Sequence, residues 1–175
     1  MNNNLISISD ADKTNYKCFK LPDESVYYGE IAYLDEFNNA VIINCLFKKI
    51  KDVDESKEEL LKNLKLARNG IGAQLYNLTE TGFSSKYEGQ WQNDKKHGRG
   101  LFVYSDKSKY DGIFVNDQYE GLGKFTWPNN NCYFGNWRCG RMDGEGEFCH
   151  FDGHILKGSF RNNYYYDVNS GLKLF

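Results

Sequence analysis

Bulky and small side chains alternate along short stretches of this chain, as they do in β-strands whose two faces differ. The clearest stretches are residues 87–91 (YEGQW) and 98–102 (GRGLF). In each, rings and glycines occupy every second position, and a turn-forming residue, Asp94, lies between the two stretches. This pattern predicts a β-hairpin of two short strands.

The hairpin pattern recurs with a step of 23 residues, so that units begin at positions 87, 110, 133 and 156. The recurring glycines are Gly89, Gly98, Gly100, Gly112, Gly121, Gly123, Gly135, Gly144, Gly146 and Gly158. The recurring rings predict three ladders, in which equivalent residues of successive units stand side by side. The first ladder contains Tyr87, Tyr110 and Tyr133, the second Trp91, Phe114, Trp137 and Phe160, and the third Phe102, Phe125 and Phe148.

Glycine inside a strand weakens it, so its systematic use requires the close approach of another group. We expect the ring of each first-ladder tyrosine to lie across the bare glycine backbone. The turn position between the two strands is filled by Asp94, Asp117, Gly140 and Asn163, which are residue types that tolerate a left-handed backbone. The prediction is an antiparallel meander whose hairpins depend on their neighbours for stability.

This combination of rings and glycines, from Tyr87 to about Tyr166, resembles the MORN repeat (membrane occupation and recognition nexus). The resemblance implies a curved, single-layered antiparallel sheet with a groove that binds a helix or tail of a partner protein. The fourth unit departs from the pattern, because Leu156 replaces the tyrosine and Asp167 stands where a glycine is expected. We therefore expect a repeat array over residues 81–166 and a C-terminal cap over residues 167–175.

Residues 1–80 predict an N-terminal capping region. Residues 27–31 resemble the first half of a repeat and residues 70–75 the second half, with a strand candidate over residues 40–50. A capping box at Ser56 and an apolar stripe predict a helix over about residues 54–69. Two interpretations stay open, namely a degenerate repeat split by a strand-and-helix insertion, or a separate small α/β cap.

The predicted helix has three alternative roles. Its apolar stripe could pack on the protein's own sheet and cover the rings. It could instead occupy the groove until a partner helix displaces it, or mediate formation of a homodimer.

Charge and cysteine content narrow the function classes. The formal net charge of −2 gives the chain no electrostatic reason to bind nucleic acid. The five cysteines lack a CxxC pair, and no apolar run approaches the roughly 20 residues that span a bilayer. These features predict a cytoplasmic protein with free thiols and no transmembrane segment. A locally basic stretch, residues 86–109 with Lys95 and Lys96, is the candidate for weak binding to anionic lipid.

The sequence shows no pattern typical of a catalytic, cofactor or metal site. Cys139, Cys149, His150 and His154 could suggest zinc, but Cys149 and His150 are adjacent on a predicted strand and point to opposite faces. The paired glycines are not followed by the Lys-Ser/Thr of a phosphate-binding loop. We therefore expect no enzymatic activity, no cofactor and no metal.

The predicted protein is mainly β, an elongated curved single-layer antiparallel sheet of MORN hairpins with one N-terminal helix. Its predicted function is that of a non-enzymatic scaffold or adaptor that binds a partner through the rings of all three ladders. The setting expected from the resemblance is a cytoskeletal, ciliary or membrane-skeleton assembly. The alternative function is binding of phosphoinositide or of the inner face of an anionic membrane.

Overall fold

A computed structural model describes residues 16–21, 23, 25–34, 40–41, 65–79, 82–166 and 173–174. Over these residues the chain forms one antiparallel sheet, which confirms the predicted mainly-β fold. The strands are β1 (Tyr16–Lys20), β2 (Val26–Leu34), β3 (Ala40–Val41), β4 (Lys65–Thr79), β5 (Gly82–Gln92), β6 (Lys95–Val103), β7 (Lys109–Val115), β8 (Gln118–Thr126), β9 (Cys132–Arg138), β10 (Arg141–Cys149), β11 (Ile155–Arg161), β12 (Tyr164–Tyr166) and β13 (Lys173–Leu174). Strands pair in chain order, except that β4 follows β2 and β3 lies beside β2.

The helix predicted over residues 54–69 is wrong for residues 65–69, which belong to β4, and no helix occurs in the part of the chain that the structure describes. The physical reason is a distant partner, because residues 65–68 pair with β2 and Ala67 becomes 1% exposed. Gly70, which directly follows the predicted helix, has φ of 79° at a β-bulge. Residues 54–64, and with them the roles predicted for the helix, lie outside the described residues.

A row of glycines crosses the sheet at right angles to the strands. In β2 and β4–β11 the register pairs glycine with glycine at each step, through Gly29, Gly72, Gly89, Gly100, Gly112, Gly123, Gly135, Gly146 and Gly158. This glycine row leaves a strip of backbone with no side chains on either strand. The 23-residue periodicity of the sequence thus places the glycines of successive repeats side by side across the sheet.

Each first-ladder tyrosine lies over the glycine row. Tyr87, Tyr110 and Tyr133 are 0% exposed, and a Cβ atom placed on Gly100 would lie 2.4 Å from the Tyr87 hydroxyl oxygen. The hydroxyl of Tyr87 donates to the carbonyl oxygen of Gln90 at 2.8 Å, and the other two hydroxyls make the equivalent bond. The predicted reason for the glycines, close approach of a ring, is confirmed.

The N-terminal strands reproduce this geometry. Tyr27 is 0% exposed, its hydroxyl donates to the Glu30 carbonyl at 2.7 Å, and the ring covers Gly29 and Gly72. Strands β2 and β4 therefore pack as a repeat does, although residues 35–64 separate them in sequence.

The hairpin turns link each repeat to the preceding one. Asp94, Asp117, Gly140 and Asn163 have φ of 67–76°, as predicted for the turn position. Their N–H groups donate at 2.9–3.0 Å to carbonyl oxygens of Arg68, Lys96, Tyr119 and Met142, respectively. Three of the four turn residues also return a bond, because their side-chain oxygens accept from the N–H groups of Arg68, Lys96 and Met142. We call this edge of the sheet the turn ladder.

Candidate functional site

The three ladders lie on one face of the sheet, here called the ring face, and the opposite face is called the outer face. On β7 the two faces alternate residue by residue, with Tyr110, Gly112 and Phe114 buried and the residues between them exposed. The described residues place no second layer over the ring face, since all described strands belong to the one sheet. The rings therefore pack mainly against one another.

The first and second ladders form the core of the array. All of their rings are at most 6% exposed, namely Tyr87, Tyr110, Tyr133, Trp91, Phe114, Trp137 and Phe160. Rings from the two ladders meet edge to face, for example Tyr87 with Trp91 at 5.0 Å and with Phe114 at 5.1 Å between centroids. These residues were predicted to contact a partner, and in this structure their surface is covered by neighbouring rings. The predicted partner role of these rings stays a prediction.

The third ladder lies at the margin of this core. Phe148 is 8% exposed, whereas Phe102 and Phe125 are only partly buried. Sequence reasoning missed three rings that continue it, Tyr76, Tyr104 and Trp127, all of them half-buried.

Together these rings form an aromatic stripe, defined as Tyr76, Phe102, Tyr104, Phe125 and Trp127. Successive centroids along it lie 5.6, 4.4, 6.1 and 4.8 Å apart. The signal for the missed rings was present, because positions 104 and 127 are one repeat step apart and both hold a ring.

Each repeat has a residue near the start of its second strand that covers the buried tyrosine from the turn side. Tyr119 stacks on Tyr110 with centroids 3.6 Å apart, and its hydroxyl is hydrogen-bonded to that of Tyr104. The equivalent positions hold Lys96 and Met142. Burial raises the pKa of Tyr76 to about 12 and raises that of Tyr119 further, so the hydroxyls on this face stay neutral near physiological pH.

Three adjoining clefts run along the ring face and the turn ladder. The first, about 410 Å³, is bordered by Arg68, Gln74 and Tyr76. The second, about 340 Å³, is bordered by aromatic residues including Phe102 and Tyr104, and it shares Lys96 and Asp117 with the first. The third, about 720 Å³, lies at the turn ladder beside the second, with which it shares Gln118 and Cys139.

The cations of the first two clefts are already paired. Arg68 Nε lies 3.2 Å from an Asp94 carboxylate oxygen, and its guanidinium lies 4.2 Å from the Trp91 ring centroid. Lys96 Nζ lies 3.1 Å from a carboxylate oxygen of Asp117. Lys86, in the stretch predicted to attract lipid, lies 2.5 Å from Glu88. The attraction of this region for an external anion is correspondingly reduced.

The first cleft also contains a buried polar network that the sequence did not reveal. Gln74 occupies the position equivalent to Phe102, is 2% exposed, and donates to Ser25 Oγ at 2.8 Å. Arg68 in turn donates to the Gln74 amide oxygen, and Ser25 donates to Asp23 at 2.6 Å. The aromatic surface is therefore interrupted at its N-terminal end by satisfied polar groups.

The residues considered for zinc are not arranged as a metal site. His150 and His154 each place a ring nitrogen within 3.0 Å of the same Asp152 oxygen, while Cys149 lies opposite Cys132 in the register. Within the described residues, no group of three or more His, Cys, Asp or Glu side chains could hold a metal ion. Over the same residues, no helix is long and apolar enough to cross a membrane.

Comparison with known families identifies the repeats. Three consecutive units, residues 87–109, 110–132 and 133–155, match the family model of the MORN repeat. The resemblance predicted from the sequence is thus confirmed for these units. No curated protein matches the chain.

Proposed function

We propose, from the MORN repeats of residues 87–155, that this protein is a non-enzymatic scaffold or adaptor that holds a helix or extended segment of a partner protein on its ring face. Repeats of this family suggest a protein- or membrane-interaction module. The observation that supports the protein partner is the aromatic stripe, a continuous row of half-buried rings with no second layer over it in the described residues. Contiguous exposed apolar surface of this kind is typical of interaction sites.

The stripe has the chemistry of an interaction hot spot. Tyrosine and tryptophan dominate the binding energy of protein interfaces because they bury a large area at little conformational cost. An aromatic side chain buries about 150–250 Å², so covering the remaining half of one ring contributes roughly 2–3 kcal/mol before entropic costs. Several such rings in one row favour a linear partner segment lying along the clefts.

A membrane is the less favoured ligand. Two lysines of the basic stretch, Lys86 and Lys96, each lie within 3.1 Å of a carboxylate oxygen, which reduces their attraction for anionic lipid. The proposal includes a cytoplasmic setting, which the odd number of cysteines supports. It also includes a place in a cytoskeletal, ciliary or membrane-skeleton assembly, which the family resemblance supports.

The test uses a photo-crosslinking amino acid at position 127 on the stripe, with the same substitution at Phe134 on the outer face as the matched control. Phe134 is 47% exposed and belongs to the following repeat. We expect one protein to crosslink from position 127 and not from position 134. A synthetic peptide covering the crosslinked segment should bind the purified chain and bind Trp127→Ala at least about tenfold more weakly.

Equal crosslinking from both positions, or peptide binding that Trp127→Ala leaves unchanged, would contradict the proposal. Flotation of the chain with phosphatidylserine vesicles but not with phosphatidylcholine vesicles, without any peptide binding, would favour the membrane alternative.

A further inference from the structure

Three arginines surround the third cleft, at the C-terminal end of the turn ladder. Arg138, Arg141 and Arg161 line this concavity of about 720 Å³ and are exposed. We call them the arginine patch. Asp143 is the one carboxylate among the residues that line it, so the patch carries a formal charge of +2 (three positive, one negative).

The register of the sheet brings these arginines together. Arg138 and Arg141 flank one hairpin turn and are direct cross-strand partners, an arrangement in which like charges repel. Arg161 lies one repeat step beyond Arg138. The positions equivalent to Arg138 in the first two repeats hold Gln92 and Val115, so the cluster is confined to one end of the array.

The arginine patch differs from Arg68 and Lys96, the cations of the first two clefts, in being unpaired. None of the three takes part in an ion pair among the described residues, whereas Arg68 and Lys96 each have an aspartate partner. Their contacts are weak ones: Arg141 donates to Asn162 Oδ1 at 3.3 Å, and the Arg161 guanidinium lies 5.7 Å from the Tyr166 ring centroid. Asp143 accepts from the Asn162 backbone N–H at 3.3 Å. Three guanidinium groups thus remain available to an external anion.

We propose that the arginine patch binds a carboxylate-rich segment of the partner protein, continuous with the segment that lies on the aromatic stripe. This inference rests on the proposed function, and the geometry that links the two sites is the adjoining clefts, which share Gln118 and Cys139. Guanidinium forks bind carboxylates through paired hydrogen bonds, which gives direction as well as attraction. The partner segment therefore carries aspartate or glutamate at the end that lies over the third and fourth repeats.

The charge distribution argues for a peptide rather than a membrane surface. The turn ladder bears Asp94 and Asp117 at the hairpins that precede the patch. An anionic lipid surface laid along this edge would meet those carboxylates together with the arginines. A short acidic segment can reach the concavity alone.

The experiment measures fluorescence anisotropy of a labelled decaglutamate peptide with the full chain at low ionic strength, with decaglutamine as the uncharged probe. The test variant is Arg138→Gln, Arg141→Gln and Arg161→Gln together. The matched control is Lys107→Gln, Lys109→Gln and Lys124→Gln, which removes the same charge from exposed positions elsewhere. We expect decaglutamate to bind and decaglutamine not to bind. The arginine variant should weaken binding about tenfold or more, and the lysine variant less than about threefold.

Added salt should weaken binding to the unaltered chain, because exposed charges are screened. Equal losses in the two variants, or no binding of decaglutamate, would overturn the inference. So would binding of phosphatidylserine vesicles that requires the arginines when decaglutamate does not bind. Trp127→Ala should leave decaglutamate binding intact. Loss of crosslinking at position 127 together with normal decaglutamate binding would therefore contradict the proposed function alone, and the converse result would contradict this inference alone.

Discussion

The ring of Tyr87 lies against the backbone of Gly100 on the neighbouring strand, so that a Cβ at Gly100 would meet the tyrosine at 2.4–2.5 Å. The Tyr110–Gly123 and Tyr133–Gly146 contacts repeat this arrangement in the next two units. The tyrosine ring and the glycine thus depend on each other, so that neither residue can be replaced alone without loss of the contact.

Replacing Gly100 with alanine should destabilise the array by about 1–3 kcal/mol or more, because the added methyl group forces the buried ring to move. Chemical denaturation measures the loss. In a Tyr87→Ala background the same substitution should cost far less, since the obstructing ring is gone. An equal cost in both backgrounds would show that the ring is not what requires the glycine.

Gly140 is the weak point of the turn ladder, and filling it should stabilise the protein. Asp117 and Asn163 accept hydrogen bonds from the preceding repeat through their side chains, and Gly140 has none to offer. Gly140→Asn keeps a residue that tolerates φ of 76°, enters space with no atom within 4 Å, and supplies an acceptor for the Tyr119 N–H. We expect a gain of about 0.5–1.5 kcal/mol in the free energy of unfolding.

Gly140→Ala is the control for that gain. It adds the same Cβ at the same left-handed position without an acceptor, so it should lower stability by about 1 kcal/mol. A similar change for both substitutions, measured by denaturant titration, would contradict the role given to the side-chain oxygen.

Alkaline pH should unfold the array. Burial raises the pKa of Tyr133 from the ordinary 10.0 to about 12, and burial also raises the pKa of Tyr87 and Tyr110. The folded state then holds protons that the unfolded state releases, so stability is complete below pH 10 and is lost as the pH rises toward 12. Denaturation midpoints across this range, with tyrosinate absorbance as a second readout, check the prediction. Ionisation of the full complement of tyrosines before any unfolding would contradict it.

The cysteines should differ in reactivity. Cys139 is exposed in a hairpin turn, whereas Cys149 is partly buried opposite Cys132, and burial raises the pKa of its thiol. Because the thiolate is the reactive form, iodoacetamide should alkylate Cys139 well before Cys149. Mass spectrometry of timed digests measures the order. Simultaneous alkylation of the two would indicate that the strand pair opens readily.

The repeat array could be predicted because its determinants are local and periodic. A glycine at position 100 and a ring at position 87 recur at a fixed step. The turn positions hold Asp, Gly or Asn, which are residue types that tolerate a left-handed backbone. The failure over residues 65–69 has the opposite cause. A helical spacing of apolar residues is a local signal, and pairing with β2, more than thirty positions earlier, outweighed it.

The site was harder to predict than the fold. Sequence reasoning identified the rings but could not say which would be covered, because burial depends on how neighbouring repeats close over one another. Two rings of the aromatic stripe, Tyr104 and Trp127, lie just past the repeated motif, where the connecting loop begins. The arginine patch required the register, since it joins residues from two hairpins.

The interrupted hairpin between Leu34 and Lys65 shows where this architecture accepts additional sequence. The strands on either side keep their glycine pairing although residues 35–64 separate them. A hairpin turn is therefore a site at which a segment can be inserted, in evolution or by design, without disturbing the strands that carry the rings. A fluorescent reporter inserted between Asn116 and Asp117 would use the same tolerance.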